Sequence, residues 1–395
     1  MRSRFVVAWS CALATLALLS SSPSSRAEAD AAWVARMTAL STMISTILPD
    51  ALDPEPLNDE RRLRLRGQAK ALTSLAHDLS KLAPRDRPDR DPTLPLLLRE
   101  LERTAQSLDR VSDDRLRDVA LAAASACIAC HTRTDRGPAM PRFQPPPVDP
   151  RLPLHVRADV FAATRRFPDA RQAYADAVKD EAFAGAQPLL WERAVKRGLA
   201  LEVRVARDPK AALVLVDAVL ATSSAESLWP DASAWRESLL SWQRESERRD
   251  EPAFRQAARL MNAALGQQRV PADQSADVTL LRATAHLHDV LADNPKGLER
   301  AQALSWLGQA YESLRDVDIW SLWLLYDEAC VHAAPHTGLA ETCYARWERG
   351  MLEEHSGNSG MSLPPEVQAR ARELFVQAAR ERSVTRPIPV SPPSP

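Results

Sequence analysis

The sequence predicts an all-α protein: a four-helix bundle, then a proline-rich linker, then a longer region of helical repeats. Three observations predict it. Glycine is scarce, with 11 in 395 residues, against roughly 28 at the usual ~7 %. Apolar residues recur at three- and four-residue spacing in four stretches before residue 131 and in roughly ten more beyond residue 153. Proline gathers instead at 137–153, with seven, and at 387–395, with five, and no helical period survives there. The length and the 45 % hydrophobic content allow two or three domains with real cores.

Taken in order, residues 1–27 have the form of a secretory signal peptide. Arg2 and Arg4 precede the apolar run Phe5 to Leu19, and the small residues Ser25 and Ala27 stand where cleavage falls. The run is ~15 residues, short of the ~20 that a transmembrane helix needs. No second stretch long enough to span follows, so a soluble chain is expected in the periplasm or an otherwise exported, oxidising compartment. Cys11 lies inside the run, too early to carry a lipid.

Four amphipathic stripes fill 28–136. The first is Trp33, Met37, Leu40, Ile44 and Ile47, with Asp30 as its expected N-cap and Pro49 near its end. The second is Leu65, Ala69, Leu72, Leu75, Leu79 and Leu82, stopped by Pro84; the third is Leu94, Leu97, Leu101, Ala105 and Leu108. The fourth enters at Ser112 to Asp114 and uses Leu116, Val119, Ala120, Ala123, Cys127 and Cys130. Four such stripes are what a bundle requires. Residues 137–153 are expected to be a semi-rigid linker, 154–382 a helical domain, and 383–395 a disordered tail.

Composition excludes several chemistries. Lys and Arg number 51 against 52 Asp and Glu, with both signs scattered, so there is no basic footprint for nucleic acid. There is no P-loop, no dinucleotide-binding G-x-G-x-x-G after a strand, and no G-x-S-x-G elbow.

The cysteines beyond residue 27 form two pairs. Cys127 and Cys130 stand in Cys127-Ile128-Ala129-Cys130-His131, the C-x-x-C-H signature of one covalently attached haem c. The two thiols reach the two vinyl groups of a porphyrin, and the adjoining His131 presents a ring nitrogen to the iron as proximal ligand. Other readings are a dithiol redox pair, which expects a βαβ setting, half of a zinc site, which wants a second ligand pair, and a plain disulfide. Cys330 and Cys343 flank a break near Pro335 and are expected to pair across a helical hairpin, two buried thiols being the alternative.

A haem motif at the end of a fourth helix resembles the class II c-type cytochromes, the cytochrome c prime group, over about residues 30–136. That resemblance implies a haem inside the bundle, with a helix 1 residue on the distal side. A Met there gives six-coordinate iron that carries electrons; an apolar residue gives five-coordinate iron that binds small gases. The matching position is Met37, which shares a face with Trp33, Leu40 and Ile44, whereas Met43 points about 100° away from Ile44. The alternatives are Met37 as core filler and Met140 as ligand, nine residues past His131 and within the ~30 Å reach of an extended segment. After the motif, Thr132, Arg133, Thr134 and Asp135 replace the aromatic and Arg common in relatives, leaving Arg133, Arg136 or Arg36 as candidates for the propionates.

The second region resembles a degenerate tetratricopeptide array. Leu304, Leu307, Gly308 and Tyr311 have the spacing of a repeat's first helix, as do Leu154, Ala158 and Phe161, although Arg157 replaces an apolar residue. Ala170, Tyr174 and Ala177, and Ala371, Phe375 and Ala378, have the spacing of the second. Small residues let helices approach and large ones fill the gaps between them; an irregular helical bundle is the other reading. Eight of ten tryptophans lie between Trp191 and Trp347, expected mainly in packing. His286 and His288 sit on opposite sides of Leu287 and cannot chelate one metal.

The expectation is therefore an exported monohaem c-type cytochrome that transfers electrons, with the helical repeats docking a redox or signalling protein partner. It has no nucleic-acid partner and, after signal cleavage, no membrane span. No constellation for general acid-base or nucleophilic catalysis is visible, and nothing supports a haem peroxidase. The alternatives are a five-coordinate gas or redox sensor and a repeat scaffold without haem.

Overall fold

The computed structural model describes residues 23–53, 55–82, 94–108, 111–112, 115–133, 147–245, 251–268, 273–293, 295–314, 322–357, 360–361 and 363–380. Most of residues 1–27, linker residues 137–146 with Met140, Arg136 and the tail at 383–395 lie outside them. The chain is all-α; the sole strand pairing among the described residues is a two-residue antiparallel ladder, Ser356–Gly357 with Gly360–Met361.

The four stripes before residue 131 become α1 (Pro23–Leu52), α2 (Asp59–Leu82), α3 (Leu94–Leu108) and α4 (Leu116–His131). α1 packs on α2 and α4, and α3 packs on α2 and α4, so each helix buries its stripe against two neighbours. Trp33, Leu40, Ile44, Ile47, Leu65, Leu72, Leu79, Leu97, Leu101, Leu116 and Ile128 form the shared core. Asn58 starts α2 by accepting the Arg61 N–H at 2.9 Å, and the buried Asp50 takes two hydrogen bonds from Arg64, at 2.7 and 3.0 Å, fastening α2 to the end of α1.

Two local expectations need correcting. Asp30 does not cap the first helix, because α1 begins at Pro23 and runs through it; Pro49 lies inside α1 rather than beyond it. Proline removes only its own N–H and is tolerated in a last turn, where few residues follow to be disturbed. One helix among the described residues, Ala31–Ala51, is apolar and long enough to cross a bilayer. It is also the span that supplies the α1 stripe to the core.

The second region comprises α5 (Leu154–Ala163), α6 (Phe167–Val178), α7 (Glu181–Ala186), α8 (Pro188–Ala200), α9 (Pro209–Ala221), α10 (Trp229–Arg244), α11 (Ala253–Gln267), α12 (Asp277–Ala292), α13 (Gly297–Ser313), α14 (Leu322–Ala333), α15 (Gly338–Glu354) and α16 (Pro365–Ala378). From α11 onward each helix packs on the next, and α11 on α13, α13 on α15 and α14 on α16 also meet. Small residues set the approach. A Cβ on Gly308 of α13 would come within 2.5 Å of Asp327 Oδ1 on α14, so only glycine fits without displacement. Cys330 of α14 and Cys343 of α15 are joined by a disulfide with Cα atoms 6.2 Å apart. Trp191, Trp235, Trp323 and Trp347 are buried, and the indole N–H groups of Trp191 and Trp235 donate to Val178 O at 3.0 Å and Gln274 O at 2.9 Å. Trp320 lies outside the described residues.

The two regions are in contact along two seams. α5 packs against α1 and α4 on one side and α6 and α8 on the other, which explains why it is buried almost all round. Its buried Asp159 is held by the Tyr174 hydroxyl at 2.5 Å, by Arg193 at 3.3 Å and by Arg197. Burial alone would raise that carboxyl's pKa; the two guanidiniums and the hydroxyl outweigh it and hold the group below its ordinary value. At the second seam α3 meets α14 and α16, where Glu328 draws in Arg370, Arg99 at 3.6 Å and His332 at 3.7 Å.

α8 continues into a π-helical turn, Leu201–Ala206, that ends at Arg207 with φ 53°, a left-handed conformation rare for a side chain with a Cβ. The three long side chains of this stretch reach three directions. Glu202 binds Arg171 of α6, at 2.5 Å. Arg207 binds Asp289 of α12, at 2.6 Å. Arg204 crosses to the end of α4.

Candidate functional site

The C-terminal turn of α4 carries Cys127, Ile128, Cys130 and His131. Cys127 and Ile128 are buried with the core, Cys130 is half-buried, and neither cysteine is disulfide-bonded. Spacing of three on a helix puts the two thiols on one side. Burial, then the nearby Cys130, pushes the Cys127 thiol up to about 12. At neutral pH it is an uncharged thiol, the opposite of the low-pKa thiolate that dithiol redox chemistry uses. A zinc site fares no better: among the described residues no three His, Cys, Asp or Glu side chains gather to hold a metal ion.

His131 is the last residue of α4, and its ring is half-buried against α5. Its Nδ1 lies 2.5 Å from the carbonyl oxygen of Ala163. A carbonyl only accepts, so Nδ1 carries the proton and the neutral ring has its lone pair on Nε2. Burial, reinforced by Arg165 and opposed by the Ala163 hydrogen bond, brings the ring's pKa down to about 4. A neutral imidazole with Nδ1–H tied to a backbone carbonyl is the form in which histidine offers Nε2 to a metal.

The two residues that follow are clamped by the second region. Thr132 closes the helix, its N–H and hydroxyl both reaching Ile128 O, at 2.8 and 2.9 Å. Its own carbonyl and hydroxyl oxygens accept from Arg204 Nε at 2.9 Å and Nη2 at 3.0 Å. Arg204, 1 % exposed, also donates to the Tyr311 hydroxyl at 3.2 Å and lies over that ring. Tyr311 stacks on Tyr326 with ring centroids 5.3 Å apart, and its hydroxyl meets His288 Nε2 at 2.8 Å. Arg133, buried, lies over the Tyr326 ring at 5.2 Å.

The residues read from sequence therefore distribute as follows. Cys127, Cys130 and His131 come together on one turn. Met37 is half-buried on α1 and packs against the core, as does Met43, and α1 touches both α4 and α5. Of the arginines considered for propionates, Arg133 is buried beside the motif, whereas Arg36 pairs with Asp78 at 3.0 Å on the surface. Sequence reasoning missed Ala163, Arg204, Tyr326 and the role of His288. Tyr311 had a signal, as a repeat position, but none that linked it to residue 132.

These residues fit a covalently attached haem. Two thiols three residues apart and outside any disulfide, an apolar setting suited to neutral thioethers, and an Nε2 with no hydrogen-bond partner among the described residues are its attachment chemistry. No family model, curated protein or solved structure matches the chain.

Proposed function

We propose that the protein is an exported monohaem c-type cytochrome, in which haem c carries one electron at a time and the helical region after residue 153 docks a redox partner. The observation that carries this reading is the C-x-x-C-H turn with His131 Nδ1 bonded to Ala163 O, because it joins the motif to the one imidazole tautomer that ligates through Nε2. On this reading Cys127 and Cys130 would hold the haem through thioethers and His131 would offer Nε2 to its iron. When bound, the haem supplies reversible one-electron transfer at its iron. The chain's residues do the rest. Ala163 O orients the His131 ring and raises its basicity, the apolar residues around Cys127 exclude water, and Met37 would be the second protein ligand to the iron. Arg133 offers its guanidinium to a propionate. The folded chain buries Cys127, so attachment precedes closure of α4 on its neighbours. On this reading residues 1–27 are a signal peptide and the chain matures in an exported compartment.

A second reading, a haem sensor with an open sixth site, is favoured by the clamp on Thr132 and Arg133, which ties the motif directly to the second region. Absorption spectra of the matured protein, oxidised and reduced, with and without carbon monoxide, separate the two. A spectrum indifferent to carbon monoxide, which becomes responsive in Met37→Ala, is the electron-transfer result. A parent spectrum that already shifts with the gas gives the sensor reading, and a chain without haem leaves a helical scaffold.

A further inference from the structure

Arg204 belongs to the helical region, 72 residues from the turn it grips. It is delivered by the π-helical turn Leu201–Ala206, where an extra residue per turn rotates the side chain out of the α register, and the turn ends in left-handed Arg207. Such π turns recur where a fold must aim one residue. Burying a guanidinium costs several kcal/mol or more unless its N–H groups are well placed. Here two of them form a fork on Thr132, the C-cap of α4, whose carbonyl has no partner within the helix. The positive charge also lies at the negative end of the α4 dipole. Thr132 is the residue after His131, so a fixed Thr132 fixes the backbone from which the imidazole projects toward Ala163 O.

We propose that Arg204 is a positioning residue for the haem ligand: through its two-point grip on Thr132 it sets the ring orientation of His131, and its buried charge favours the reduced iron. The inference rests on the haem reading above. It makes the helical region a working part of the redox centre. A partner that shifts α8 shifts the iron's potential by way of Arg204.

The test uses the full-length, haem-loaded protein with Arg204→Gln and Arg204→Lys, read by redox titration and by the EPR spectrum of the oxidised iron. In Arg204→Gln the potential falls, enough to change the oxidised-to-reduced ratio at a fixed ambient potential about tenfold, equivalent to 59 mV, and the EPR spectrum changes. Arg204→Lys keeps the charge and loses the fork, so its potential stays near the parent's while its EPR spectrum still changes. Thr132→Val, which removes one acceptor and keeps the shape, changes the EPR spectrum in the same direction by less, and serves where Arg204 variants fail to fold. In the haem-free chain with Cys127→Ala and Cys130→Ala, Arg204→Gln speeds amide exchange over 127–133. Arg64→Gln, which loosens the fastening of α2 to the end of α1 at Asp50, lowers stability without moving the potential. Haem at full stoichiometry with potential and EPR unchanged in Arg204→Gln, and only stability lost, overturns the inference and leaves the cytochrome reading standing. A parent that carries no haem overturns both.

Discussion

At the scale of single residues, the motif is readable because its chemistry is local. Haem attachment asks for two thiols and an imidazole within five consecutive residues, so Cys127, Cys130 and His131 announce themselves in sequence. Their partners do not, since Ala163 and Arg204 are brought to them by packing between regions. Packing within the second region makes histidines pH-sensitive. His286 is brought down from 6.5 to about 4 by burial, then by Arg207, and burial lowers His155 as well. His286 is neutral in the folded chain down to that range, whereas the unfolded chain takes up a proton there once the pH drops below about 6.5. The contribution of His286 is therefore complete above pH 6.5 and is lost as the pH falls toward 4, and that of His155 is lost in the same direction. Denaturant titrations of the parent lose stability over that window. His286→Gln, with part of its surface in water, removes roughly 1–2 kcal/mol of the loss. A flat profile from pH 7 to 4.5 contradicts the burial argument.

At the scale of elements, apolar periodicity gave the four helices before residue 131 nearly to their ends, since each stripe has a neighbour to cover it. What it could not give is a helix start set by continuity rather than by a cap, hence α1 begins at Pro23 and not at Asp30. Nor does period alone reveal a π turn, because Leu201, Val203 and Val205 read as an ordinary apolar stretch. Close approach was legible at Gly308 from the spacing it shares with Leu304 and Tyr311. Gly308→Ala forces a Cβ against Asp327 Oδ1 and Cγ and Arg346 Nη2, three atoms of one ion-paired cluster. It should cost about 1–3 kcal/mol in chemical unfolding. Gly198→Ala meets first the Leu215 methyl at 2.7 Å, the far end of a flexible side chain, and should cost less. Equal costs contradict the packing account. The Cys330–Cys343 bond, with a separation of 13 residues, restricts the unfolded chain by about 3 kcal/mol. Cys330→Ala with Cys343→Ala loses about that much, measured with the parent oxidised.

At the scale of the whole molecule, the second region is not a passenger. α5 lies between the first four helices and α6 and α8, and the residues after His131 are held from α8, α13 and α14. The proline-rich linker read at 137–153 lies mostly outside the described residues; the contacts on either side of it bring the motif against the helical region. Sequence could not show this, since the groups that meet are polar singles, Thr132, Arg204, Tyr311 and His288, and nothing in their own stripes links one to another. The account stands or falls on the haem. The direct measurement is the intact mass of the full-length protein, matured in an exporting host that assembles c-type cytochromes, after denaturation and thiol reduction. The prediction is the chain plus one haem, absent in Cys127→Ser with Cys130→Ser. A parent mass equal to the polypeptide alone, with both thiols open to alkylation, would contradict it.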